Sequence, residues 1–103
     1  MIRRDVRSSR PVALLTGFEP FGGDALNPSA LAVQALHGRQ VAGHRVVGAC
    51  LPVEFGRSLT LLDGLIHKHR PALVLCTGLA GGRSALSLER VAINVDDARL
   101  ADN

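Results

Sequence analysis

A short apolar run leads into a glycine-rich loop at Leu73-Val74-Leu75-Cys76-Thr77-Gly78-Leu79-Ala80-Gly81-Gly82. Two similar apolar runs come earlier in the chain, at residues 11–16 and 46–51. The first is followed by another glycine-rich loop, and the second by a proline. Continuous apolar runs of this length are typical of strands that are buried on both faces of a parallel sheet. We therefore predict three strands, over residues 11–16, 46–51 and 72–76.

Two helices are predicted between these strands. Asn27 and Pro28 suit the N-cap and the first position of a helix that ends at Gly38, after His37. The second helix is predicted from about residue 54 to residue 70, before Pro71. Its apolar side is expected to be a stripe at helical spacing, formed by Phe55, Leu59, Leu62, Ile66 and His69.

An alternating order of strands and helices predicts right-handed crossovers and a mostly parallel sheet with helices on its faces. The fold class is therefore α/β, and the architecture is a three-layer sandwich. Ligands bind such sheets at the carboxyl ends of the strands. The loops at residues 17–24 and 77–84 should lie together at that edge.

Composition and charge limit the partners of the protein. The chain has 103 residues, enough for one domain, and no apolar run reaches the length of about 20 residues that a membrane span needs. Its net charge of +3 comes from residues 1–10, which we interpret as a basic flexible tail before a domain at residues 11–103. The domain has eight basic and eight acidic residues and three phenylalanines as its aromatic residues. These counts argue against a nucleic-acid partner, because proteins that bind nucleic acid usually have a basic folded face with aromatic rings that stack on bases.

The cysteine and histidine positions argue against a disulfide and a metal site. Cys50 and Cys76 lie in apolar runs of a chain that has no secretory signal, so we expect reduced, buried thiols and a cytoplasmic protein. His67 and His69 are two residues apart on a helix and point to different faces. No other group has metal-ligand spacing.

The two glycine-rich loops do not match phosphate-binding motifs. Gly17 and Gly22 have the spacing of a phosphate loop, but Gly23 and Asp24 occupy the positions of its lysine and hydroxyl residue. A cysteine phosphatase needs five residues between its cysteine and arginine, whereas six separate Cys76 from Arg83.

Two features leave alternatives open on residue chemistry alone. Phe18 and Phe21 are either plugs of the core or the walls of an apolar slot for a flat ligand. Glu89 shares one face of an extended segment with apolar residues, and a buried carboxylate needs a partner. That partner is either a nearby arginine, in a structural ion pair, or a catalytic base.

The chain resembles the pyroglutamyl (pyrrolidone-carboxylyl) peptidases. The glutamate motif of that family is matched by Gly78, Gly81, Leu86, Ser87, Glu89, Arg90, Val91, Ala92 and Asn94. Further matches follow the family order: the segment 16–23, Asn27-Pro28, residues 51–53 and residues 97–99. Ala101 replaces the proline usual at its position.

The resemblance implies a cytosolic thiol peptidase that removes N-terminal pyroglutamyl residues through a Cys-His-Glu triad, without metal or cofactor. It assigns Glu89 to the triad, and it assigns Phe18, Phe21, Asn27 and Leu100 to the substrate pocket.

The family's cysteine and histidine motifs lie in a second half of the domain, and neither motif occurs in this chain. We therefore expect the N-terminal half of the domain, inactive alone, with a homo-oligomer or a complementing C-terminal half as its partner. The alternative is a non-catalytic binding or association module.

Overall fold

A computed structural model describes residues 10–20 and 26–79, together with Ser87. It contains four strands, β1 (Val12–Phe18), β2 (Gln40–Val41), β3 (His44–Leu51) and β4 (Leu73–Cys76). Two helices, α1 (Pro28–Leu36) and α2 (Arg57–His69), connect them. The strands form one sheet in the order β2-β3-β1-β4.

The sheet is mostly parallel, as predicted. β1 pairs with β3 and with β4 in parallel, and Thr16 lies opposite both Ala49 and Cys76. β2 is antiparallel to β3 and was not predicted, because a two-residue strand has no hydrophobic period. It is joined to β3 by Ala42 and Gly43, whose φ angles of 49° and 76° form a tight hairpin turn.

The predicted start of α1 is confirmed. Asn27 has an extended backbone and caps the helix, and Pro28 is the first helical residue. The helix ends at Leu36, with His37 as its C-cap and Gly38 at a positive φ of 84°.

α1 covers one face of the sheet at very close range. Leu15, Val33 and Val46 form a buried cluster there, with Cys50 half-buried beside them. A Cβ atom on Gly17 would lie 2.6 Å from the carbonyl oxygen of Ser29. The helix can therefore approach this closely only because β1 has no side chain at that position. β1 extends through Gly17 to Phe18, two residues beyond the predicted end, because both residues pair with β3.

α2 covers the opposite face and completes the three layers. Its residues Leu62, Leu65 and Ile66 pack against a buried cluster of Val12, Leu14 and Val47.

The predicted stripe of α2 was partly wrong. Phe55 precedes the helix and is 46% exposed, and Leu59 is 63% exposed. Gly56 has a φ of 77°, which no right-handed helix accepts, so the helix begins at Arg57. Leu65, which the predicted stripe left out, takes part in the packing instead.

β4 lies at one side of the sheet and is exposed along its whole length. Within the described part of the chain, α1 and α2 pack on β1 and β3 and neither packs on β4. Leu73 and Leu75 are consequently 54% and 49% exposed. The expectation of buried thiols was therefore wrong for Cys76, which is exposed, whereas Cys50 is half-buried; both are free.

In the described ranges, neither helix is long and apolar enough to cross a membrane.

Candidate functional site

The carboxyl ends of β1 and β4 meet at one edge of the sheet, which we call the carboxyl edge. The main-chain N–H and the side-chain hydroxyl of Thr77 both donate to the carbonyl oxygen of Thr16, at 2.8 Å and 2.7 Å. One residue further, a Cβ atom on Gly78 would lie 3.7 Å from two ring atoms of Phe18. The prediction that the two glycine-rich loops meet is thus confirmed for Phe18 and Gly78.

Phe18 is the last residue of β1 and its side chain is half-buried. Its ring lies beside the backbone of Gly78, where no side chain separates it from the start of the second loop. The main chain is held on both sides of this residue. The Phe18 N–H donates to Ser29 Oγ at 2.9 Å, and the Glu19 N–H donates to the Leu51 carbonyl at 2.9 Å. The backbone that carries the ring is therefore fixed by both neighbouring elements.

Asn27 is buried, with 2% of its surface exposed. Its Oδ1 accepts from the Ser29 N–H at 3.0 Å and from the Ser29 hydroxyl at 2.7 Å. Its Nδ2 lies 3.5 Å from the Glu19 carbonyl oxygen, at the limit of a hydrogen bond. The N-cap interpretation of Asn27 is confirmed. The amide oxygen is already occupied, so the amide N–H₂ is the part of this side chain that has hydrogen-bonding capacity to spare.

Ser29 links Asn27 to Phe18 and was not identified from the sequence. It accepts from Phe18 N–H and donates to Asn27 Oδ1, so the helix cap and the end of β1 share one buried hydrogen-bond relay. The sequence held one signal for Ser29, namely a serine two residues after an asparagine N-cap. It could not show the partner of Ser29 on β1, because that contact depends on how α1 packs on the sheet.

Thr16 lies beneath this edge, with 1% of its surface exposed. Its hydroxyl oxygen is buried and has no hydrogen-bond partner among the residues that the structure describes. An unpartnered buried hydroxyl costs about 1–3 kcal/mol. This group is therefore a locally unfavourable feature next to the site.

His67 and His69 lie in the last turn of α2, away from the carboxyl edge. His67 is exposed, with its Nδ1 3.5 Å from an Asp63 carboxylate oxygen. His69 is half-buried. Burial lowers the pKa of His69, and the positive charges of Lys68 and Arg45 and the ring of His37 lower it further. Over residues 10–20 and 26–79, no three histidine, cysteine or acidic side chains form a metal-binding group.

Three of the five predicted site residues, Phe21, Glu89 and Leu100, lie outside the described residues. The structure brings the other two, Phe18 and Asn27, into one hydrogen-bonded assembly at the carboxyl edge. Their predicted contacts with substrate stay predictions.

The comparisons with known proteins agree with the resemblance. The sequence model of the pyroglutamyl peptidase family matches residues 12–103. The chain is 50% identical over 93 residues to pyrrolidone-carboxylate peptidase 1 of Ralstonia nicotianae, covering 90% of this chain and 43% of that protein. It is 53% identical over 93 residues to the pyrrolidone-carboxylate peptidase of Cupriavidus taiwanensis, with the same shares covered.

Solved structures give the same result for the fold. The pyroglutamyl peptidase I of Bacillus amyloliquefaciens superposes with a TM-score of 0.87 at 45% identity, covering 91% of this chain and 45% of that enzyme. The pyrrolidone carboxyl peptidase of Pyrococcus furiosus gives a TM-score of 0.84 at 42% identity, covering 88% and 44%. The chain thus spans less than half the length of these relatives. By the match of the family model to residues 12–103 and by its superposition on these structures, the chain belongs to the pyroglutamyl peptidase family.

Proposed function

We propose that this chain provides the N-terminal part of a cytoplasmic thiol peptidase that removes pyroglutamyl residues from the N-termini of peptides. The match of the family over residues 12–103 carries the proposal. The position of Phe18 supports it, because an aromatic ring at the carboxyl edge of a parallel sheet is well placed to contact a flat, largely apolar ring.

The reaction assigns a distinct role to each part of the site. A cysteine thiolate attacks the carbonyl carbon between pyroglutamate and the next residue, and a histidine gives its proton to the departing amine. Water, deprotonated by the same histidine, then hydrolyses the acyl-enzyme. Glu89 accepts a hydrogen bond from that histidine and stabilises its charged form. No metal or cofactor takes part.

The pocket residues would hold the lactam ring. Phe18 and Phe21 contact its apolar faces, and Leu100 forms an aliphatic wall. The hydrogen bonds of Asn27 restrict what it can do: Oδ1 is occupied by Ser29, so a direct contact would come from Nδ2, donating to the lactam carbonyl. Asn27 would also act indirectly, because its relay through Ser29 holds the backbone of Phe18.

The cysteine and histidine would come from a complementing C-terminal part of the family domain. β4 provides a surface for it, since the strand is apolar and exposed and its outer edge is unpaired in the described sheet. We therefore expect residues 1–103 to be inactive alone.

A complementation assay tests this function. Hydrolysis of pyroglutamyl-aminomethylcoumarin would be measured for the purified chain, and then after adding the portion of the Bacillus amyloliquefaciens enzyme that this chain does not cover. Activity should appear only in the mixture and should be lost with Glu89→Gln. Co-purification would show whether the Glu89→Gln variant still forms the complex. If it does so normally and yet lacks activity, Glu89 acts in catalysis and not in assembly.

Two outcomes would contradict the proposal. One is turnover by the chain alone that survives Cys50→Ser and Cys76→Ser. The other is a complex that forms and folds but hydrolyses no pyroglutamyl substrate. In the second case the chain would be a non-catalytic association module, the alternative that the exposed β4 favours.

A further inference from the structure

Ser29 lies in the first turn of α1 and is buried, with 6% of its surface exposed. It contacts two of the residues assigned to the proposed pocket, Phe18 at the end of β1 and Asn27 at the helix cap. The backbone of Ser29 lies against Gly17, where a Cβ atom would be 2.8 Å from the Ser29 carbonyl carbon. Close packing therefore holds Ser29 beside the residue that precedes Phe18.

Two main-chain N–H groups fix the direction of the hydrogen bonds around Ser29. A main-chain N–H can only donate, so Ser29 Oγ accepts from the Phe18 N–H at 2.9 Å. The Ser29 hydroxyl in turn donates to Asn27 Oδ1 at 2.7 Å, and the Ser29 N–H donates to the same oxygen at 3.0 Å. The hydrogen bonds therefore run in one direction, from Phe18 through the side chain of Ser29 to Asn27.

This direction decides which way the amide of Asn27 points. Both groups of Ser29 that face the amide are donors, so the amide presents its oxygen to them. Its nitrogen lies on the other side, 3.5 Å from the carbonyl oxygen of Glu19 in the segment that follows β1. The reverse orientation would place the amide N–H₂ against two buried donors, which is unfavourable. The Asn27 amide therefore directs its donor toward the carboxyl edge.

One side chain thus controls two parts of the proposed pocket. The oxygen of Ser29 holds the main chain that carries the Phe18 ring, and its donors hold the Asn27 amide in one orientation. Burial strengthens these hydrogen bonds, because the protein interior has a lower dielectric constant than water. A pocket for a lactam ring needs an apolar surface for the ring and a placed polar group for its carbonyl oxygen. Ser29 supports both.

We infer that Ser29 is a positioning residue for lactam binding, which orients the Asn27 amide as a donor and fixes the backbone of Phe18. The inference rests on the proposed function, because the lactam is the substrate group of that function. Ser29 acts through these two residues and makes no contact with substrate itself. The bond that is cleaved lies outside the lactam ring, so the effect falls on ring binding and not on the chemical step.

Inhibition by 2-pyrrolidinone, which is the lactam ring without a peptide, would test this inference in the complementation mixture. Ser29→Ala should raise the inhibition constant about tenfold, the effect of losing about one buried hydrogen bond. KM for pyroglutamyl-aminomethylcoumarin should rise in parallel. The value of kcat should change by less than about threefold, because an interaction made equally in the ground state and the transition state affects KM alone.

Two further variants sharpen the test. Ser29→Cys keeps a side chain of similar shape with a weakly bonding thiol, so it should also raise the inhibition constant, and it replaces Ser29→Ala if alanine prevents folding. Ser58→Ala is the matched control, because it removes the same hydroxyl from the first turn of α2, on the opposite face of the sheet. It should leave the inhibition constant unchanged.

A double variant tests the link between Ser29 and Asn27. Combining Ser29→Ala with Asn27→Ala should raise the inhibition constant by less than the product of the two single effects, because Ser29 then has no amide to orient. Circular dichroism of each variant would confirm that it keeps the wild-type fold.

Four results would overturn the inference: an unchanged inhibition constant in the folded Ser29 variants; an equal effect of Ser58→Ala; a loss of kcat without a rise in KM; or single effects that multiply in the double variant. A serine with a structural role alone would give the first result together with a lower free energy of unfolding. Each of these results requires an active wild-type mixture and leaves the proposed function standing. A wild-type mixture that assembles without hydrolysing the substrate would overturn the proposed function and this inference together.

Discussion

Thr16 and Thr77 have similar positions next to the carboxyl edge and opposite hydrogen-bonding states. The hydroxyl of Thr77 donates to the Thr16 carbonyl at 2.7 Å, whereas the hydroxyl of Thr16 is buried without a described partner. A buried polar group costs free energy when it is unpaired and contributes modestly when it is paired. The two threonines therefore form a matched pair for mutation.

We predict that Thr16→Val raises the free energy of unfolding by about 1 kcal/mol, because valine keeps the shape of the side chain and removes the unpaired hydroxyl. Thr77→Val should lower it by about 1 kcal/mol through loss of its hydrogen bond. Urea titration followed by circular dichroism would measure both. Destabilisation by Thr16→Val would show that this hydroxyl is paired with residues beyond those described.

At the scale of elements, the position of α1 depends on glycines in the strands beneath it. A Cβ atom on Gly17 would lie 2.6 Å from a backbone oxygen of Ser29, which cannot move unless the helix moves. Gly64 is a useful contrast, because it lies within α2 and a Cβ atom added there would have no neighbour within 4 Å among the described residues.

Gly17→Ala should lower the free energy of unfolding by about 1–3 kcal/mol, the usual cost of overpacking. Because Ser29 lies on α1 and holds the backbone of Phe18, a shift of α1 should also lower the rate of hydrolysis in the complementation assay. Gly64→Ala should raise the free energy of unfolding by roughly 0.5–1 kcal/mol, because alanine is the better helix former. The same urea titration compares the two variants. Equal stability of Gly17→Ala and wild type would contradict the close packing of α1 on β1.

At the scale of the whole molecule, β4 is a parallel strand with both faces exposed and one edge unpaired in the described sheet. Parallel strands are normally buried on both faces, and an exposed apolar edge promotes pairing with another chain. In the absence of a complementing segment, the available partner is a second copy.

We therefore predict that the isolated chain self-associates, with a mass in multi-angle light scattering that rises with concentration. Leu75→Lys should shift the population toward monomer, because it places a charge on the exposed strand. Leu59→Lys is the control, since Leu59 is 63% exposed on α2, away from β4. A wild-type monomer at all concentrations, or an equal effect of the two lysines, would contradict this prediction.

Apart from β2, the order of strands and helices was predictable from the sequence, as were the cap at Asn27 and the family. Each depends on local signals: apolar runs, a capping residue, a proline, and motifs of fixed spacing. The start of α2 was not predicted, because the apolar spacing continued back to Phe55 while the backbone of Gly56 excluded the helix. For the site, the family resemblance pointed to Phe18 and Asn27 but not to Ser29, whose partner lies eleven residues away on β1.

By itself, the sequence determined the fold class, the start of α1 and the membership of the family. The tertiary structure decided which residues share an edge or a face. It placed Phe18 beside Gly78, linked Asn27 to Phe18 through Ser29, and left β4 exposed. The reason is physical. Local backbone preference and hydrophobic period act over a few residues, whereas packing joins segments of the chain that are far apart in sequence.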